Sequence, residues 1–133
     1  MANAAKRAGT DAENKVRDYA QQHGFPYARR LAQAGANDEG DIYLGDGIDF
    51  TIEVKGGQGS LSRPHQHLKE LKAEIGNKGD FAGAAVVKKA GSTDVGEDWV
   101  AMMPVKVLFA ILHRLYLLES IDQRTKHRVE HKS

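Results

Sequence analysis

Phe50, Ile52 and Val54 alternate with Thr51, Glu53 and Lys55, and a spacing of two predicts a strand with one apolar face. Ile42 and Leu44 repeat the pattern upstream, and Asp46-Gly47 between the runs is a turn signal, so residues 41–55 read as a hairpin. Elsewhere the period lengthens. Ala12, Val16, Tyr19 and Ala20 make the apolar stripe of a helix over about Thr10–Gln22, with Gly24 at its stop and Pro26 barring continuation. "SRPHQHLKELKAEIG" predicts a second helix, with Ser62 as N-cap and Pro64 in its first turn. "FPYARRLAQAG", "FAGAAVVKKAG" and "DWVAMMP" read as strands, "GANDEGD" and "GGQGS" as connections. Residues 105–119 form an apolar helix, and residues 120–133 a polar, basic, frayed tail. The order α-β-β-β-α-β-β-α, without internal repeats, implies an α/β fold with a mixed sheet flanked by helices.

Burial fixes the register of the hairpin. Were Asp46-Gly47 a two-residue loop, Asp41 would oppose Ile52 and share its apolar face. A longer odd loop or a bulge instead sets Ile42 opposite Ile52 and Leu44 opposite Phe50. Asp41 then opposes Glu53, with Lys55 one step further on the same face.

Composition limits the possibilities. The 133 residues, 41% hydrophobic and 28% charged, suffice for one domain with one core and not for two. The absence of cysteine removes disulfides, thiolate zinc sites and cysteine nucleophiles, and fits a reducing compartment. "MANAAKRAGT" has no apolar run of the signal-peptide kind, and "VKVLFAILHRLYLL", interrupted by Lys106, His113 and Arg114, is too short to span a bilayer. A cytoplasmic protein without a membrane partner is therefore expected. The net charge of +1 neither favours nor excludes nucleic acid.

Glu-x-Lys occurs four times, at Glu13-Lys15, Glu53-Lys55, Glu70-Lys72 and Glu130-Lys132. Only Glu53-Lys55 lies on a predicted strand, where residues two apart share a face; on a helix they diverge. With Asp41 across the hairpin, two carboxylates and an ammonium converge.

Gly40-Asp41, eleven intervening residues and Glu53-Val54-Lys55 resemble the signature of the PD-(D/E)xK nuclease superfamily, with Gly40 where a proline often stands. The wider chain is similar to the archaeal-type Holliday junction resolvase branch. The likeness runs from "GTDAENKVRDYAQQHGFPYARR" through the hairpin to "HQHLKELKAE" and "GAAVVKK", over about residues 9–102. The resemblance implies a restriction-endonuclease-like core, α-β-β-β-α-β, within a single domain, to which the C-terminal helix is an addition. "AQAGANDEGD" lacks the serine often found there in the resolvases.

Phosphodiester hydrolysis needs an activated water and neutralisation of charge on phosphate and leaving group, which Mg²⁺ held by one or two carboxylates supplies, with Mn²⁺ as substitute. Asp41 and Glu53 are the candidate ligands, and the resemblance adds the Val54 carbonyl. Lys55 would orient or deprotonate the water, with a pKa lowered by the metal. Glu13 has two readings: it closes a capping box with Thr10, or, as the resemblance implies, it is a further metal ligand. Gln66 resembles a glutamine used near such active sites. His65 and His67 read as solvent-facing, and Arg29, Arg30, Arg63, Lys69, Lys88 and Lys89 as contacts to the DNA backbone.

The expected activity is that of a Mg²⁺-dependent, structure-selective DNA endonuclease of the junction-resolvase kind, with branched or four-way DNA as partner. The alternatives are a general or nicking repair or restriction-like nuclease, and a nuclease-fold protein that binds DNA without cutting. Symmetric incision requires two sites and hence a homodimer. Leu108, Ile111, Leu112, Leu115 and Leu118 could form its contact, although burial against the chain's own sheet is the preferred reading of that stripe.

Overall fold

The computed structural model describes residues 2–31, 41–56 and 62–131. Gly40 of the signature, the "GANDEGD" loop before Asp41, the end of the first expected strand and most of the glycine-rich connection lie outside the described residues. The chain divides into two compact units, Met1–Met103 and Pro104–Ser133.

The first unit is an α/β structure built on a five-stranded mixed sheet in sequential order. Its elements are α1 (Ala2–Gln22), β1 (Arg29–Arg30), β2 (Ile42–Tyr43), β3 (Phe50–Lys55), α2 (Pro64–Lys78), β4 (Ala82–Val87), α3 (Val95–Asp98) and β5 (Val100–Met102). β1, β2 and β3 are antiparallel neighbours, β3 and β4 are parallel, and β5 runs antiparallel to β4. A parallel pair needs a crossover, which α2 supplies. The short α3 has no counterpart in the hydrophobic pattern, being a single turn capped by Asp94 Oδ1, which accepts from Glu97 N at 3.1 Å.

α1 buries Ala12, Val16 and Ala20, and the first two pack with Ile42, Val54 and Trp99. Tyr19, expected in that stripe, remains 38% exposed and stacks on His23 at 3.9 Å between centroids. The helix begins at Ala2 rather than Thr10, so Thr10 and Glu13 are interior and the capping-box reading of Glu13 falls. Both long helices of this unit end alike: Gly24 at φ +102° with Phe25 N donating to Ala20 O, and Gly79 at φ +75° with Asp80 N donating to Ile75 O. Glycine takes this left-handed position without a Cβ penalty. The residue before α2 is Arg63, with no side-chain cap, rather than the expected Ser62.

The register of the hairpin is Ile42↔Ile52, as apolar burial demanded. Asp41 N also donates to Ile52 O at 2.8 Å, so two residues face one, as at a β-bulge. The connection runs from Leu44 to Asp49, with Ile48 N donating to Gly45 O across Asp46-Gly47.

In the second unit α4 (Val105–His131) is one continuous helix. The tail expected to fray is therefore its second half. Leu108, Leu112, Leu115 and Leu118 are exposed, contrary to the expected burial of this stripe. Among the described residues no helix is long and apolar enough to cross a membrane.

β4 is nearly all small, and Ala82, Gly83, Ala84 and Ala85 are fully covered. A Cβ added at Gly83 would stand 2.6 Å from Thr51 O and 2.9 Å from Ile75 Cγ1. Thr51 O is backbone of the neighbouring strand and Ile75 belongs to α2, so Gly83 sets how closely that helix approaches the sheet. Gly83→Ala is expected to cost about 1–3 kcal/mol through overpacking. Gly76→Ala, in helix α2 with open space around it, should gain about 0.5–1 kcal/mol. Urea unfolding of both variants checks the pair.

Candidate active site

β3 is covered on both faces. Ile52 and Val54 pack on the α1 side, while Thr51, Glu53 and Lys55 face α2. Thr51 Oγ1 donates to Asp80 Oδ2 at 2.7 Å just beyond the helix, and Lys55 Nζ donates to Glu70 in its second turn. The half-exposed polar face expected for this strand is thus an interior one, and Glu53 is only 4% exposed.

A carboxylate so placed must be paired or neutral. Lys55 Nζ sits 2.5 Å from Glu53 Oε1 and also pairs with Glu70 Oε2, and Gln66 Nε2 donates to Glu70 Oε1 at 3.0 Å. The four side chains form one line: Gln66, Glu70, Lys55, Glu53. Oε2 of Glu53 is buried without a hydrogen-bond partner among the described residues.

Charge follows this geometry. Burial lifts the Glu53 carboxyl above its ordinary range, against the opposing pull of Lys55 and of nearby Glu74. Burial also disfavours the Lys55 ammonium, but its hydrogen bonds to Glu53 and Glu70 outweigh this and hold its pKa above the usual lysine value. Glu53 contributes the larger part of this rise and Glu70, a second negative partner, the rest; the lowered pKa expected from the sequence was that of a lysine beside a metal ion. The hydrogen bond from Lys55 in turn holds Glu70 below the ordinary carboxylate range.

Asp41 is 6% exposed. Its Oδ2 accepts from Val54 N at 2.7 Å and its carbonyl from Leu31 N at 2.9 Å. The bulge therefore brings the Asp41 carboxylate within a hydrogen bond of the Glu53–Val54 peptide.

Glu13 lies apart from this line. Buried on α1, it accepts from Arg30 Nε at 2.9 Å and Arg30 Nη2 at 2.7 Å. One of the six expected phosphate contacts is thereby an internal ion-pair partner. The Arg29 guanidinium lies 4.6 Å from the centre of the Tyr43 ring. Arg63, Lys69 and Lys89 are exposed, and Lys88 is partly so. His65 is exposed as expected, but His67 is buried together with Leu71 and Glu74 on α2.

Glu70, Glu74 and His67 are the residues of this region whose placement the sequence reading missed. The signal was the spacing His67, Leu71, Glu74, which repeats every three or four residues as a buried helix face does; its polar members concealed it.

Among the described residues no three His, Asp or Glu side chains are gathered to hold a metal ion. Mg²⁺ asks for less, one or two carboxylates completed by water and substrate phosphate. Oε2 of Glu53, without a hydrogen-bond partner among the described residues, and the Asp41 carboxylate at the adjoining peptide fit that smaller requirement; Glu13, clasped by Arg30, does not join them. The chain matches no family model, no curated protein and no solved structure.

Removing the ammonium gives a pH-dependent effect. In Lys55→Met, Glu53 loses a partner that restrains its pKa, so its folded-state value rises further above the unfolded one. The folded state then binds more protons than the unfolded state in that window, and stability falls as pH rises through it. Glu70 simultaneously loses the stability that its lowered pKa contributed above the ordinary carboxylate range. Both losses shrink in acid, so Lys55→Met should be destabilised relative to wild type more at about pH 7.5 than at about pH 5, as measured by urea unfolding at the two pH values.

Proposed function

We propose that this chain is a metal-dependent DNA endonuclease of the PD-(D/E)xK kind. The observation that carries the reading is the joint placement of Asp41, Glu53 and Lys55: adjacent on the hairpin, buried, and with Lys55 bonded to Glu53 at 2.5 Å. The α-β-β-β-α-β order, antiparallel through β3 and parallel into β4, supports a restriction-endonuclease-like core. A carboxylate buried as Glu53 is, even when paired with Lys55, is a poor way to stabilise a small domain, which favours a chemical role for the pair.

Asp41 and Glu53 would hold Mg²⁺, or Mn²⁺ in its place, and the Val54 carbonyl is a further candidate oxygen. The ion, when bound, supplies Lewis-acid polarisation of the phosphate and a lower pKa for water. Lys55, beside Glu53 on the same strand face, would orient or deprotonate the attacking water and offset charge on the phosphate oxygens. Arg63, Lys69 and Lys89, which are exposed, and Lys88, which is partly so, would meet the DNA backbone and position it without reading sequence. Glu13 and Arg30 brace α1 against β1 in this account.

Branched or four-way DNA is the substrate we assign, on the resemblance to junction resolvases. Paired incision calls for a homodimer, and the exposed leucines of α4 offer a second copy an apolar surface.

The test incubates purified protein with matched linear, flapped, nicked and four-way DNA. Cleavage is expected with Mg²⁺ or Mn²⁺, is absent in Ca²⁺ or EDTA, and is fastest on the four-way substrate. Lys55→Ala should lower the rate on the order of 10²- to 10⁴-fold. Metal-independent cutting would refute the reading. Tight, salt-sensitive binding without cutting under any metal would leave the DNA-binding alternative.

A further inference from the structure

Lys55 has two carboxylate partners, and only one belongs to the expected metal pair. This matters because an ammonium and a divalent cation compete for the same carboxylate and repel each other at close range. Glu53 now gives Oε1 to Lys55, and its Oε2 is buried near the Glu74 carboxyl with no hydrogen-bond partner among the described residues. A cation drawing on Glu53 would displace Lys55, whose side chain is itself mostly buried. Stranding that ammonium would oppose metal binding unless a second anion receives it.

Glu70 is placed to be that anion. It is partly exposed, so its charge carries little desolvation cost, and Gln66 Nε2 holds its Oε1 at 3.0 Å. Its other oxygen is thereby turned to Lys55. We propose that Glu70 is a positioning residue that receives Lys55 from Glu53 and so opens the Glu53 carboxylate to a divalent cation. The inference rests on the metal-dependent reading of the site. It gives Gln66 a task as well: it orients Glu70 and need not touch substrate.

Three roles for Glu70 are separable without any turnover: receiver of Lys55, direct metal ligand, or helix-to-strand clamp. Isothermal titration of DNA-free protein with MnCl₂ is measured for wild type, Glu70→Gln, Lys55→Met and the double variant, each first checked for folding by circular dichroism. Lys55→Gln takes the place of Lys55→Met should the latter not fold. The receiver role predicts that Glu70→Gln weakens Mn²⁺ binding by about 10-fold or more, while Lys55→Met binds at least as tightly as wild type. With Lys55 removed, adding Glu70→Gln should change affinity by less than about 2-fold, because its only effect ran through Lys55. Gln66→Ala should shift affinity in the same direction as Glu70→Gln by a smaller factor.

Equal weakening by Glu70→Gln in both backgrounds would make Glu70 a ligand and overturn the proposal. No effect in either background, with wild type binding Mn²⁺, would reduce it to a clamp and overturn it too. Failure of wild type to bind Mn²⁺ at all, or binding untouched by Asp41→Asn and Glu53→Gln, would instead bring down the metal reading and the proposal with it.

Discussion

The ammonium of Lys55 between Glu53 and Glu70 is the contact around which the site is organised. β3 has a helix on each face and a strand on each side, so Glu53 on its polar face is almost wholly shielded from water. Glu53 can remain there as an anion only beside a cation, and Lys55, two residues on, is the one that strand geometry puts on the same face. Glu70 from α2 completes the set. The pairing therefore joins the sheet to the helix through charge, where the opposite face joins α1 through Ile42, Val54, Ala12 and Val16.

That arrangement constrains β4. For α2 to come near enough for Glu70 to meet Lys55 and for Asp80 to accept from Thr51, the neighbouring strand must be thin, and Ala82, Gly83, Ala84 and Ala85 make it so. The parallel register sets Glu53 beside Ala85 and Lys55 beside Val87, small and apolar neighbours that offer no competing partner. The absence of volume at β4 and the presence of charge at β3 are thus two sides of one design.

The hairpin was legible in the sequence because apolar alternation and turn chemistry agree there: Ile42 faces Ile52, and a bulge at Asp41 supplies the extra residue that burial required. α1 was legible in its stop signal at Gly24 and not in its start, since Ala2–Gly9 carries no apolar stripe; α2 was legible as a helix, but it starts after Arg63 rather than Ser62 and runs past Gly76 to the cap at Gly79. What the pattern concealed was the polar burial on α2. His67, Glu70 and Glu74 read as an ordinary solvated helix, because nothing in a periodicity says that a carboxylate has a lysine waiting on the strand beneath. Arg30 misled in the opposite sense: its charge suggested phosphate, whereas the buried Glu13 claims it. The length of α4 was hidden by the change from apolar to polar composition near Glu119, which alters what the helix presents to its surroundings and not the capacity of the backbone to continue it.

The proposed chemistry requires one divalent cation held between Asp41 and Glu53 at the end of β3. Anomalous diffraction from crystals soaked in MnCl₂ tests this directly. A single strong peak is expected within bonding distance of both carboxylates, with Lys55 turned to Glu70 alone. Saturating Mn²⁺ that leaves this pair empty, with Lys55 still on Glu53, would contradict it.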